Sequence, residues 1–266
     1  MLHSLSEFLG TFLFLFFAFS GTALANSSPD QPQLLTLFFI ALSFGLALGA
    51  NVWAFFRLSG GQFNPAVSLS LFLTGNLSVA KLAVNIPAQI LGGVAATAVV
   101  SGLYPDEGVA VNTALGAGTS VAQGLFIEVF LTAQLVLVIL FAAVDKHPQN
   151  RNARELAPLA IGAAFFLTQL VGVNFTGGSL NPARSLGPAI VLGRWPGYFW
   201  IYILGPVMGA ALASAAYKLL VWLRVEEQDE DVDEQDLERG SVSGKTRVHV
   251  VEKRVDSSSG CSGEGH

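Results

Sequence analysis

Cysteine is almost absent from this sequence, and charge is scarce. The chain of 266 residues has a single cysteine, Cys261, so neither a disulfide within the chain nor a cysteine metal cluster can form. Only 12% of the residues are charged, where a soluble domain carries about 25%. Hydrophobic residues make up 52% of the chain, and its mean hydropathy is +0.56. This composition is typical of a chain solvated by lipid.

Groupings of catalytic or metal-ligating residues are lacking as well. No Gly-rich phosphate-binding loop is present, and the histidines lie in termini or loops without ligand spacing: His3, His147, His249 and His266. We therefore expect no enzymatic activity, no metal or cofactor, and no nucleic-acid partner.

Long apolar runs are what the chain does contain. A membrane span needs roughly 20 apolar residues to cross a hydrocarbon core of about 30 Å. Six segments approach or meet this length, at about 7–25, 34–56, 80–103, 121–144, 157–174 and 198–223. The sequence therefore predicts an all-α membrane protein with six transmembrane helices.

Basic residues orient these spans, because Lys and Arg mark cytoplasmic loops. The segments 26–33 and 104–120 contain neither Lys nor Arg. Basic residues open span 3, lie between spans 4 and 5, and close span 6: Lys81, Lys146, Arg151, Arg154, Lys218 and Arg224. We expect both termini to be cytoplasmic.

Two further apolar pieces, 64–74 and 181–192, are too short to span a bilayer. At 1.5 Å per residue each makes a helix of about 16–18 Å, half the thickness of the membrane. Backbone that enters a membrane and turns back is tolerated only where protein buries it or where it lines a wet cavity. The two pieces are therefore predicted to be re-entrant half-helices that face a pore.

The half-helices begin with the same phrase, which reveals an internal duplication. Residues 59–66 read Ser-Gly-Gly-Gln-Phe-Asn-Pro-Ala, and residues 176–183 read Thr-Gly-Gly-Ser-Leu-Asn-Pro-Ala. Each repeat, about 4–104 and 120–224, holds three spans, so the second copy must enter the membrane in the opposite sense. The fold is therefore predicted to be an inverted repeat.

These features resemble the major intrinsic protein family, the aquaporins and glycerol facilitators. The resemblance covers about residues 4–224 and rests on two Asn-Pro-Ala motifs, a glutamate in spans 1 and 4, and an arginine after the second motif. The residues that carry it are Asn64, Pro65, Ala66, Asn181, Pro182, Ala183, Arg184, Glu7 and Glu128. It implies a homotetrameric channel of the plasma membrane that passes water and excludes ions and protons.

The motif residues have a chemical rationale of their own. Asn is a favoured N-cap and Pro a favoured first helical residue. An Asn held by local backbone can still donate its amide N–H into the lumen. A water molecule accepting from both Asn64 and Asn181 turns its own protons outward, which interrupts a proton wire beside two positive helix ends.

The resemblance also implies a selectivity filter, at Phe44, Gln169, Gly178 and Arg184. Water-selective members usually have His where this chain has Gln169, and glycerol facilitators usually have Gly there with aromatic residues at two other filter sites. We expect Gln169 to keep the filter polar and Gly178 to widen it and offer its carbonyl. Ser185 and Ala189 follow the water-channel pattern. An aquaglyceroporin or a hydrogen-peroxide-permeable channel remains the alternative, with other small neutral solutes as permeants.

Glu7 and Glu128 lie within apolar spans, where an acid is functional by default. The resemblance implies that they accept hydrogen bonds from the re-entrant backbone, whose amides would otherwise be unpaired. The alternative is a proton relay in a coupled secondary transporter.

The segment 225–266 is acidic and then rich in Ser and Gly, which predicts a disordered cytoplasmic tail. Ser241 and Ser243 are candidate phosphorylation sites, and Asn26 begins a glycosylation sequon. Mercurials are expected to leave flux nearly unchanged, because Gly178 stands where some family members carry a reactive cysteine.

Overall fold

Eight α-helices form the described part of the chain, which comprises residues 2–27, 30–104, 109–145 and 151–238 of a computed structural model. The helices are α1 Leu2–Asn26, α2 Gln33–Ser59, α3 Pro65–Leu73, α4 Val79–Leu103, α5 Val121–Ile139, α6 Arg151–Thr176, α7 Pro182–Leu192 and α8 Ile201–Glu238. A π-helical turn, Leu140–Val144, continues α5. Six of the described helices, all but α3 and α7, are long and apolar enough to cross a membrane. The predicted fold class is confirmed.

Local sequence sets where these helices begin and end. Ser120 and Gln123 form a reciprocal capping box at the start of α5, and Ser78 caps α4. Gly60 closes α2 in the left-handed conformation, at φ 89°. Gly193 does the same after α7, at φ 65°.

The helices differ from the predicted spans at their polar ends. Helix α6 begins at Arg151, six residues before the expected start, and α8 continues to Glu238 instead of ending near 223. Apolar runs mark contact with lipid, whereas Arg, Glu and Gln are good helix formers in water. Residues 225–238 are thus helical, in contrast to the expected disorder. Ser28, Lys146, His147, and 239–266 with Ser241, Ser243, His249, Cys261 and His266 lie outside the described residues.

The membrane-embedded helices belong to one compact unit, Met1–Lys218. Within it α2 packs along α6, and α1 packs along both α2 and α4. A Cβ on Gly92 would lie 2.7 Å from the carbonyl of Phe8 on α1, and a Cβ on Gly209 would lie 2.5 Å from the carbonyl of Val129 on α5. Glycine at these equivalent positions lets the helix backbones approach closely.

The half-helices α3 and α7 meet end to end inside this bundle. Their first residues, Pro65 and Pro182, are buried. Large buried side chains surround the meeting point, among them Phe14, Phe44, Phe63, Phe165 and Leu180. The fold therefore places both Asn-Pro-Ala motifs at its centre.

Candidate functional site

Asn64 and Asn181 cap the two half-helices in nearly the same conformation. Their φ/ψ angles are −154°/120° and −151°/107°. Oδ1 of Asn64 accepts from the amide of Ala66 at 2.8 Å. Oδ1 of Asn181 accepts from Ala183 at 2.9 Å and from Arg184 at 3.4 Å. These bonds fix each carboxamide with its oxygen toward its own helix and its nitrogen away from it.

Each asparagine also reaches across to the other repeat. Nδ2 of Asn64 donates to the carbonyl of Leu180 at 2.8 Å, and Nδ2 of Asn181 donates to the carbonyl of Phe63 at 2.9 Å. The residues that supply these carbonyls have positive φ, 50° for Phe63 and 52° for Leu180. Such a conformation costs on the order of 1–3 kcal/mol per non-glycine residue. The sequence did not predict this cross-bonding, which uses one of the two N–H groups on each amide.

A cavity of about 10 Å³ lies beside the two carboxamides and is lined by both Asn64 and Asn181. Such a volume holds about one water molecule. Since one N–H of each amide is engaged with a carbonyl, the second remains for an occupant of this cavity. The two half-helix N-termini point at the same place, each with a partial positive charge.

Glu7 and Glu128 are fully buried beneath the two re-entrant loops. The Glu7 carboxylate accepts from the amides of Gln62 at 3.2 Å and Phe63 at 2.8 Å. The Glu128 carboxylate accepts from the amides of Ser179 at 2.9 Å and Leu180 at 2.7 Å. Both carboxylates therefore bind the backbone just before each asparagine, and neither glutamate is among the residues that line the central cavity.

A network of polar side chains extends the support under the first loop. Gln89 donates to Glu7 at 2.7 Å and to Ser68 at 2.9 Å. Ser68 donates to Oε1 of Gln62 at 2.6 Å, and Asn85 donates to the same oxygen at 3.2 Å. Sequence reasoning missed this network. The sequence did contain an indication of it, because Asn85 and Gln89 are amide side chains one helical turn apart within an apolar span.

Arg184 is held by carbonyl oxygens and is only 3% exposed. Its Nη1 donates to Val111 at 2.6 Å, its Nη2 to Gly177 at 3.1 Å and its Nε to Gly178 at 3.2 Å. Its Cζ lies 5.1 Å from the ring centroid of Phe44 and 5.3 Å from that of Phe19. The loop before α5 and the ring of Phe19 therefore both contact the Arg184 guanidinium, which the sequence did not indicate.

Gln169 and Gly178 meet in a way that alters the expectation for this side of the filter. Nε2 of Gln169 donates to the carbonyl of Gly178 at 3.0 Å. That carbonyl also accepts from Arg184, so both of its lone pairs are engaged and it is not offered to a permeant. A Cβ on Gly178 would lie 2.9 Å from Cδ of Gln169. The space expected to widen the filter is therefore filled by the glutamine.

A larger cavity of about 400 Å³ adjoins the small one and shares five lining residues with it: Gly61, Gln62, Val67, Ile139 and Ile161. Its rim brings together three side chains from different helices: His3, Lys81 and Arg154. The ring of His3 is within 3.1 Å of Asn85 Oδ1. The start of α1 and the basic residues that open α4 and α6 thus lie at the same mouth.

Taken together, the six spans among the described residues and the two opposed half-helices, with a small cavity where they meet, define a membrane protein of the channel class. The chain matches the family model described as Major intrinsic protein over residues 2–217. It belongs to the major intrinsic protein family, whose members are channels and not enzymes.

Similar proteins come from Botryotinia fuckeliana, Gibberella zeae and Plasmodium falciparum. The chain is 48% identical over 234 residues to Aquaporin-7 of Botryotinia fuckeliana, covering 84% of this chain and 50% of that protein. It is 46% identical over 241 residues to Aquaporin-1 of Gibberella zeae, covering 88% and 74%. The chain thus spans about half the length of the first relative. The X-ray structure of the aquaglyceroporin from Plasmodium falciparum has the same fold, with a TM-score of 0.74, 24% identity, and coverage of 84% of this chain and 98% of that one.

Proposed function

We propose that this chain is a passive water channel that excludes ions and protons. The observation that carries the proposal is the pair of amide donors, Asn64 and Asn181, beside a cavity of about 10 Å³. The cavity accommodates about one water molecule at a time. Water that accepts from both amides directs its own protons away from the centre, so a continuous proton wire is broken there.

Two sources of positive potential support the exclusion of cations. The half-helix N-termini each contribute about half a positive charge before screening. Arg184 adds a full charge at the constriction, where three of its five N–H donors are engaged with carbonyls. The remaining donors serve a passing water molecule. Cations meet repulsion at both levels, and a hydrated anion is too large for the central cavity of about 10 Å³.

The same proposal includes the orientation and assembly of the protein. His3, Lys81 and Arg154 line one mouth of the path, and basic residues favour the cytoplasmic side. We place both termini in the cytoplasm, since an even number of spans returns the chain to the side on which it starts. We further propose a homotetramer in the plasma membrane, with one pore in each protomer.

Stopped-flow light scattering on proteoliposomes tests the proposal. A sucrose gradient should cause fast shrinkage with a low activation energy, and a pH-sensitive dye inside the vesicles should report no added proton leak. Shrinkage no faster than in protein-free liposomes of the same lipid would refute the proposal. Free proton conduction would refute its exclusion mechanism.

Hydrogen peroxide is a second candidate permeant, favoured by one observation. Oε1 of Gln169 is buried and has no hydrogen-bond partner among the described residues. This acceptor lies beside the Arg184 donors, since Nε2 of Gln169 and Nε of Arg184 share the carbonyl of Gly178. Peroxide both donates and accepts through O–H groups and is scarcely wider than water. Uptake by vesicles loaded with a peroxide-reactive dye measures this activity.

A further inference from the structure

Two phenylalanine rings line the path beside the asparagines. Phe14 on α1 and Phe165 on α6 are each 1% exposed. Their ring centroids are 5.7 Å apart, with planes inclined at 64°. Both rings line the same cavity of about 10 Å³ as Asn64 and Asn181. This small cavity is therefore walled by aromatic carbon as well as by amide donors.

Phe44 connects this pair to the Arg184 constriction. Its ring centroid is 6.3 Å from that of Phe14 and 6.0 Å from that of Phe165. The guanidinium carbon of Arg184 lies 5.1 Å from the Phe44 centroid. Phe165 also precedes Gln169 by four residues on α6, which is one helical turn or about 6 Å along the axis. The pair thus lies at the level of the asparagines, in a cavity whose lining includes neither Gln169 nor Arg184.

The internal repeat supplies unequal side chains at matching positions. With the offset between the two motifs (181 − 64 = 117), Phe165 corresponds to Leu48 (165 − 117 = 48). The offset between Glu7 and Glu128 (128 − 7 = 121) pairs Phe14 with Leu135 (14 + 121 = 135). All four side chains line the cavity. One member of each pair is a rigid ring, which cannot fold aside as a leucine can.

We propose that Phe165, packed against Phe14, sets a second size limit of the pore and excludes glycerol and larger polyols. This inference rests on the proposed water channel and adds a determinant of its specificity. A single water molecule crosses this level on the asparagine amides. A polyol is too large for a cavity of about 10 Å³ beside the two rings, and its hydroxyls find no hydrogen-bond partner on the aromatic faces.

The test compares Phe165→Val with Phe165→Leu and with a control away from the cavity, Phe130→Val, whose side chain is 63% exposed on α5. Water and glycerol permeabilities are measured on the same proteoliposomes by stopped flow, after thermal unfolding in detergent has shown each variant to be folded. The glycerol-to-water ratio should rise about tenfold in Phe165→Val, the scale of one or two methylene-sized changes in an apolar pocket. It should rise less in Phe165→Leu and stay at the wild-type value in Phe130→Val.

A fourth variant, Gln169→Gly, tests whether glycerol is excluded at Gln169 or at the phenylalanine pair. It opens the polar constriction but leaves the phenylalanine pair in place, so it should change the ratio less than Phe165→Val does. The inference is overturned if Gln169→Gly raises the ratio and Phe165→Val does not, or if the wild-type protein already passes glycerol as fast as water. In both cases fast water flux would leave the proposed function intact. Absence of water flux in the wild-type protein would refute both the proposed water channel and the size limit at Phe165.

Discussion

The side chain of Gln169 fills the space that Gly178 leaves open. Nε2 of Gln169 donates to the Gly178 carbonyl at 3.0 Å. A Cβ on Gly178 would overlap Oε1 of Gln169, and the residue has a φ of 61°, where side chains are strained. The two positions are therefore coupled, because a Cβ at 178 would force the end of the Gln169 side chain to move.

Gly178→Ala should lower water permeability and destabilise the protein by about 1–3 kcal/mol, the usual cost of overpacking. The double variant Gly178→Ala with Gln169→Ala should recover the part of the stability that is lost to overlap with Gln169, while the strain from the positive φ remains. Gly193→Ala is the control, because its φ of 65° is similar but no atom lies within 4 Å of the added Cβ. Equal loss of stability in both single variants would assign the effect to backbone strain and not to Gln169.

Replacement of Arg184 should admit cations. Arg184→Val removes the charge and three hydrogen bonds that satisfy buried carbonyls, so it should also cost more than about 1.5 kcal/mol of stability. Arg184→Lys keeps the charge, and we expect it to leak less than Arg184→Val. Ion conductance in planar bilayers provides the measurement, with Arg57→Val at an exposed position of α2 as the control. Unchanged ion exclusion in Arg184→Val would place the cation barrier wholly at the asparagines.

Removal of the asparagine caps should affect the two repeats unequally. Asn64→Ala removes a cap worth about 1 kcal/mol together with one bond across to Leu180. Asn181→Ala should cost more, because its Oδ1 accepts from two amides, one of which belongs to Arg184. Thermal unfolding in detergent ranks the variants, and a vesicle pH dye records proton leak. Asn76→Ala, at an exposed asparagine, should behave as the wild type.

Glu7→Gln and Glu128→Gln distinguish loop support from proton relay. Each carboxylate accepts a backbone N–H bond on both of its oxygens. In the glutamine variant one of these oxygens becomes an NH2 group, which would face a buried N–H donor without an acceptor between them. A loss of about 1–3 kcal/mol of stability follows for each. Flux per folded protein should persist and stay independent of a pH gradient, as in the exposed control Glu155→Gln. A stable Glu128→Gln protein without flux would favour the coupled transporter.

Mercurials should leave the water permeability of the wild-type protein nearly unchanged. Position 178 has no thiol, and the sequence has a single cysteine, Cys261, far from the pore motifs in the chain. Proteoliposomes treated with mercuric chloride and then with a reducing thiol provide the measurement. Strong reversible inhibition that Cys261→Ser abolishes would contradict this expectation.

The six spans and two half-helices were predictable because contact with lipid requires long apolar runs and because the internal repeat shows the same phrase at the start of each half-helix. The helix ends at Arg151 and Glu238 were less predictable, because hydropathy indicates which residues contact lipid and not where the helical backbone begins or ends. The candidate filter positions came from spacing relative to the motifs and from family resemblance. The role of each filter residue stays a prediction.

What the sequence could not supply was contact between distant segments. The carbonyl of Val111 binds Arg184 only because a loop folds back over the pore. Phe19 reaches the same guanidinium through the packing of α1 beside α2. The filling of Gly178 by Gln169 likewise depends on a rotamer. A hint was available in the four-residue steps 44, 48, 52 and 161, 165, 169, which mark equivalent faces of α2 and α6.

The bonds from Asn64 to Leu180 and from Asn181 to Phe63 have a consequence for biosynthesis. The two asparagines are 117 residues apart in the chain (181 − 64), so a ribosome needs roughly 6 to 23 s to pass from one to the other. Throughout that interval the amide of Asn64 lacks the Leu180 carbonyl that accepts its hydrogen bond. We therefore expect the first loop to reach its final conformation only after the second half-helix has been made, and a nascent chain arrested between them to be a preferred substrate for membrane quality control.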